Sequence, residues 1–300
     1  MKKKNGTLHD KTSEIRSYVK EHKAVSVVYF ILRLLVVFVL VWAAIQGEWE
    51  RVFTCVLVLF LFMLPSLVQR RFHIELPSML QIVILVFIFC AEILGELESL
   101  FVRVKYWDTI LHTTSGFICA AFGYSLVDIL NRDNRIRFTL SPFFLALVGF
   151  CFSMTISVIW EFFEYGADRL LLVDMQKDTV INTISSVTLD ETRSNIPIVI
   201  QGITDVAVNG ESLGLGGYLD IGLIDTMEDL FVNFIGALVF SIFGFFHARR
   251  KDDAKGGLVE SIVPSFDEAS AARAEQEKAE REALGQNEEP TPEPPYHVNL

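Results

Sequence analysis

The chain has 300 residues, 51% of them hydrophobic and 25 of them Phe, with a mean hydropathy of +0.40. That composition excludes disorder, four Cys are too few for a disulfide scaffold, and a net charge of -11 argues against a nucleic-acid partner. The apolar residues arrive in unbroken runs, which a water-soluble core does not need.

Residues 1–24 form a basic N-terminus with Lys2, Lys3, Lys4, Lys11, Arg16, Lys20 and Lys23. A helix needs roughly 20 mostly apolar residues to cross hydrocarbon. Six stretches meet or approach that length: Val27–Gln46, Val52–Gln69, Pro77–Glu96, Asp108–Leu130, Leu140–Tyr165 and Asp225–His247. They are continuous rather than alternating, so they read as helices, which satisfy their own backbone in lipid. The expected fold is an all-α polytopic membrane protein, with a membrane domain over 25–247. The first span is too long for a signal-peptide core and reads as an uncleaved anchor. Arg33 within it would snorkel to the headgroups. Cys55, Cys90, Cys119 and Cys151 fall inside spans and read as small apolar fillers.

Basic residues set the orientation. The N-terminus, Arg70 and Arg71, Arg132, Arg135 and Arg137, and Arg249, Arg250 and Lys251 all fall on one side if six helices alternate. That side is expected to be cytoplasmic, with both termini inside, in a bacterial inner membrane. Residues 167–222 then form a large extracytoplasmic loop. Thr179–Leu189 and Ile196–Val208 are rich in Val, Ile and Thr, and Asn209-Gly210 and Gly214–Gly217 are turn signals. Together they predict a small β-hairpin cap. Residues 248–300 read as an acidic tail: over 251–300 there are 5 basic and 12 acidic residues, a net of -7. A polar helix is expected over 267–284 and disorder near the Pro-rich end, the whole forming a solvated extension.

Ionisable groups inside membrane helices are costly and mark function by default. The fourth span opens with Asp108 and carries His112 one turn deeper, followed by Ser115, Gly116 and Cys119. The fifth ends with Glu161, Glu164 and Asp168, with Ser153 and Ser157 on the same stripe. The sixth opens with Asp225, Glu228 and Asp229, followed by Asn233 and Gly236. The third ends with Glu92 and Glu96. Spacings of three and four place each set on one helical face. Alternating topology brings all four sets to the outer side of the membrane. Asn233 would lie about 12 Å below Asp225, and Gly116 and Gly236 would form a close-packed floor. Helix capping accounts for Asp108 and Asp225 taken singly. It does not account for His112, Asp229 or Glu161, which sit deeper.

Crowded carboxylates cannot all stay ionised in a low dielectric. One reading is a divalent metal held by Asp108, His112, Glu161, Glu164, Asp225 and Asp229, with Glu92, Glu96, Glu228, Asn233, Gly116 and Gly236 in support. One His among oxygen donors suits Zn, Mn or Fe. A lipid-linked or envelope ligand bearing phosphate would meet that metal. A second reading is a proton- or cation-coupled transporter, and a third is a structural network tying helices together. No nucleophile elbow, P-loop, HExxH or dinucleotide motif specifies a reaction, so catalytic residues and oligomeric state stay open.

The segments WDTILHTTSGF, WEFFEYGAD and DTMEDLFVNFIGA resemble the YjdF-like family of bacterial inner-membrane proteins. The likeness spans about Glu92–Phe246. It places Asp108, His112, Glu161, Glu164, Asp225, Asp229 and Gly236 on motif positions. VanZ-like envelope proteins share a looser version of the pattern. The YjdF-like resemblance implies an uncharacterised membrane protein and carries no established activity.

Overall fold

The computed structural model describes residues 23–132, 140–250, 259, 261–266, 272 and 276. Among them, six helical stretches are long and apolar enough to cross a bilayer. The first is α1 (Lys23–Gln46). The second is broken into α2 (Trp49–Leu61) and α3 (Leu64–Phe72). Pro65 falls in the first turn of α3, where its missing N–H costs nothing. The third joins α4 (Ser78–Ile88) to a π-helical stretch, Phe89–Leu97. After a short α5 (Leu100–Arg103) come α6 (Trp107–Arg132), α7 (Pro142–Leu171) and α8 (Leu223–Arg249). Large apolar side chains such as Phe30, Phe38, Phe162 and Phe231 point away from the protein, as helices solvated by lipid require. The Arg33 guanidinium lies over the Tyr29 ring, 4.9 Å from its centroid, toward the start of α1. Cys55 is a buried filler, whereas Cys151 is exposed on α7.

The helices pack in two groups. Spans one and two meet the third around Val36, Cys55, Val58, Phe62, Leu85 and Ile93. The last three spans pack pairwise against one another. Their core holds Ile118, Ala120, Ala121, Tyr124, Ala237 and Phe240, with Leu80 from the third span. Phe240 meets the rings of Phe117 and Tyr124 edge-on, at 5.2 and 6.0 Å. Small residues bring the backbones together. A Cβ on Gly236 would fall 2.0 Å from the Thr113 carbonyl oxygen, and one on Gly116 would fall 2.3 Å from that of Asn233. The floor expected from the sequence is therefore a direct α6–α8 backbone contact.

Part of the C-terminal segment differs from a solvated extension. Val259 and Ile262 are buried in the core of the last three spans. β8 (Ser265–Phe266) pairs antiparallel with β1 (Ile74–Glu75), which links the second and third spans. The buried Ser125 hydroxyl of α6 donates to the Pro264 carbonyl at 2.5 Å. An apolar Val-x-x-Ile spacing inside an acidic tail explains the docking: these side chains have more area to bury than the flanking charges allow elsewhere. The basic N-terminus through residue 22 and the Arg135 and Arg137 link lie outside the described residues. So does the helix expected over 267–284, apart from Ala272 and Gln276.

The long link between α7 and α8 forms small antiparallel ladders. β3 (Thr183–Ser186) pairs with β4 (Ile198–Gln201), Thr183 opposite Gln201. β5 (Ala207–Val208) and β6 (Glu211–Ser212) form a hairpin through Asn209-Gly210. Both turn residues have positive φ, at 53° and 89°, as a tight hairpin demands. β2 (Val180–Ile181) pairs with β7 (Tyr218–Leu219) and closes the base. The strand-bearing loop was legible in the sequence. Its strands are shorter than the two continuous runs expected.

Candidate functional site

Three helices place their polar residues at the end of the bundle that carries the α7–α8 link. α6 begins at Trp107, so Asp108 lies in its first turn and His112 one turn on. His112 Nε2 is 3.5 Å from Asp108 Oδ1 and 3.5 Å from Asp229 Oδ2 of α8. The Asp108, His112 and Asp229 donor atoms lie within 4.8 Å of one another. A second group of the same compactness joins Glu161 and Glu164 of α7 to the same Asp229. Asp229 thus stands at the junction of the two groups.

Burial makes the arrangement unusual. Glu161, Glu164 and Asp229 are 4%, 8% and 4% exposed. Both oxygens of Glu161 and one of Glu164 lack a hydrogen-bond partner among the described residues. A buried carboxylate with no donor carries most of its desolvation cost uncompensated. Gln176 and Thr226 come near Glu161, but their side chains bond each other, the amide donating to the hydroxyl. Among the described residues, no Lys or Arg forms an ion pair with these carboxylates. Lys177 turns its ammonium to the Asp174 carbonyl.

A strap from the α7–α8 link crosses the cluster. Asp168, in the last turn of α7, accepts from the backbone N–H groups of Met175 at 2.6 Å and Gln176 at 2.9 Å. Asp225 accepts from the Lys177 N–H at 2.8 Å. Asp220 accepts from the Thr179 N–H at 2.7 Å and from the Ile224 N–H at 2.8 Å, in the first turn of α8. Gly222, the residue before α8, has φ 78°, and a Cβ there would sit 2.7 Å from the Gln176 Cβ. Glycine lets the strap close onto the helix start. Asp178, in the strap, has its pKa raised, first by desolvation and then by the charges of Asp174, Asp220 and Asp168. Under the cluster, Ser153 donates to the Gly116 carbonyl at 2.8 Å, and Asn233, 2% exposed, reaches Ser153 at 3.5 Å.

Several expectations change. Asp225 is not a helix cap: α8 starts two residues earlier, at Leu223, and Asp225 holds the strap instead. Asp220 takes the role of satisfying an orphan N–H of the first turn. Glu228 is exposed. Glu92 and Glu96 belong to neither compact group. They lie on the π-helical stretch, where regular i, i+4 facing no longer holds, and that stretch packs against α2, α4 and α5. The cluster is therefore built by three helices rather than four. Sequence reasoning missed Gln176, Thr226 and Asp220. An Asp closely preceding the apolar run of α8 was the available signal for the last.

The fold and this buried polar end define a polytopic α-helical membrane protein. Residues 28–250 match the family described as "Predicted membrane protein (DUF2238)", and the chain belongs to that family. A protein of Thermotoga maritima, itself described as uncharacterised, is 23% identical over 107 residues. That match covers 36% of this chain, and the chain spans about half (53%) of that relative's length. No solved structure matches. The resemblance to an uncharacterised membrane-protein family thus holds, whereas these matches do not carry the VanZ-like likeness.

Proposed function

We propose that this protein binds a divalent cation at the outer end of its last three spans and uses it to handle an anionic, lipid-linked ligand of the bacterial envelope. The observation that carries the reading is Glu161. Both its carboxylate oxygens are buried without a hydrogen-bond partner among the described residues, beside Glu164 and Asp229. A cation would offset that cost, which no hydrogen bond recorded among the described residues does. His112 with carboxylates suits Zn or Mn better than Mg or Ca. The flanking Lys and Arg pattern supports an outward-facing site in the inner membrane. Once neutralised by metal, an acidic cup would attract a phosphate-bearing head group rather than repel it.

A transporter would need a polar path through the bundle. The backbone contact of Gly116 with Asn233, sealed by Ser153, argues against one. A purely structural tie would pair its carboxylates with donors.

The test is thermal unfolding of the purified full chain with and without Mn²⁺ or Zn²⁺. Specific binding at about 100 times Kd stabilises by about 2.7 kcal/mol, and Glu161→Gln should reduce that shift. No shift up to millimolar metal, with no metal in elemental analysis, would sink the proposal. A structural tie predicts instead that Glu161→Gln destabilises the metal-free protein.

A further inference from the structure

We infer that the site holds two divalent cations rather than one, with Asp229 as the carboxylate shared between them. The inference rests on the cation-site reading above and deepens it. The donor atoms fall into two compact groups, Asp108–His112–Asp229 and Glu161–Glu164–Asp229, with Asp229 in both. Among the described residues no single compact group contains all five. Metal–oxygen and metal–nitrogen bonds of about 2.0–2.2 Å limit the donors of one ion to about 4.4 Å of separation. Each group comes close to that limit by itself, within 4.8 Å, and the two do not merge.

Charge supports the count. Asp108, Glu161, Glu164 and Asp229 bring four negative charges when ionised, which two divalent ions neutralise. One ion would leave two charges unmatched, at least one of them buried, and no Lys or Arg pairs with them among the described residues. The second observation is the burial of Glu161 and Glu164. Both Glu161 oxygens and one Glu164 oxygen are buried without a hydrogen-bond partner among the described residues, and the compact group they form with Asp229 does not include His112. A position there is supplied with ligands independently of His112. Paired ions about 3.5–4 Å apart are the arrangement that clamps a phosphoryl group. The ligand class is therefore a phosphate ester whose non-bridging oxygens span both ions.

The experiment uses the full chain in lipid nanodiscs, stripped with chelator and reloaded with Mn²⁺, followed by ion counting and electron paramagnetic resonance. Two Mn²⁺ per chain and a broadened, exchange-coupled spectrum are expected. His112→Ala should leave one ion with the resolved hyperfine pattern of isolated Mn²⁺. Glu161→Gln with Glu164→Gln should do the same from the other side. Asp229→Asn should abolish the coupling; if that chain fails to fold, the His112 and Glu161/Glu164 variants carry the test. One uncoupled ion in the wild type overturns the pair while leaving a single-cation site standing. No bound Mn²⁺ at all removes both.

Discussion

Gly236→Ala probes the contact that sets the width of the site. A Cβ there would fall 2.0 Å from the Thr113 carbonyl oxygen and 3.0 Å from the Phe117 nitrogen. Real Cβ atoms essentially never approach below 3.0 Å, and the obstacle is backbone, so α6 and α8 must part by about 1 Å. Alanine gains about 1 kcal/mol over glycine in helix propensity. Overpacking costs about 1–3 kcal/mol, and the parted interface also loses dispersion contacts along its length. The net expectation is a loss of about 1–2 kcal/mol, roughly tenfold in the unfolding equilibrium. The same shift would widen the 3.5 Å gap between His112 on α6 and Asp229 on α8, so metal affinity should fall together with stability. Gly166→Ala is the control, since a Cβ on that α7 residue would meet nothing within 4 Å. It should be neutral or stabilising by up to about 1 kcal/mol. Equilibrium unfolding of the full chain by titrating denaturing into mild detergent, followed by circular dichroism, measures both. If Gly236→Ala proves as stable as Gly166→Ala, the close α6–α8 approach is wrong and the cup it shapes goes with it.

Further perturbations address the strap and the tail. Asp168→Ala removes the acceptor of the Met175 and Gln176 N–H groups, and bonds to a charged acceptor contribute about 1.5–3 kcal/mol each. Hydrogen exchange at those two amides should quicken by at least about tenfold, and unchanged exchange would exclude the strap. Asp178 has its pKa raised by desolvation and by neighbouring carboxylates, so its charge opposes folding at neutral pH and the opposition fades as pH falls. Asp178→Asn should therefore slow exchange in the strap at pH 7 and have less effect at pH 4; faster exchange would reverse the sign of the argument. The Thr192 and Ser194 hydroxyls, with their backbone N–H groups, hold the Asp190 carboxyl well below the usual carboxylate range. Its contribution is complete above the ordinary value of about 3.9 and is lost only as pH falls through the lower folded value. Protection of the Thr192 and Ser194 amides should persist at pH 3.5, and loss near pH 4 would contradict this. Ile262→Asp places a charge in an apolar core and should expose residues 259–266 to protease, an outcome to be read from cleavage fragments of the intact protein.

What the sequence made legible follows from how strongly lipid constrains it. A bilayer demands long apolar runs, so the six spans are placed to within a few residues at most ends. Glycine in such a run points to close backbone approach, and Gly116 and Gly236 do meet the facing helix. Helical spacing identifies a face without identifying its neighbour. Glu92 and Glu96 share a spacing of four with Asp108 and His112, yet a π-helical stretch and a different set of neighbours keep them out of the cluster. Nor could spacing divide structural acids from functional ones. Asp168, Asp220 and Asp225 each accept backbone N–H groups and so stabilise the strap. Glu161, about two turns before Asp168 on the same helix, has no such partner among the described residues. Only the folded chain reveals that difference. An acid supplied with backbone donors is accounted for by the fold, whereas a buried acid without them points to a missing positive charge. Replacement should separate the two classes: Asp168→Asn should loosen the strap in metal-free protein, and Glu161→Gln should stabilise that form while weakening metal binding. Equal destabilisation by both would show that Glu161 is one more structural acid.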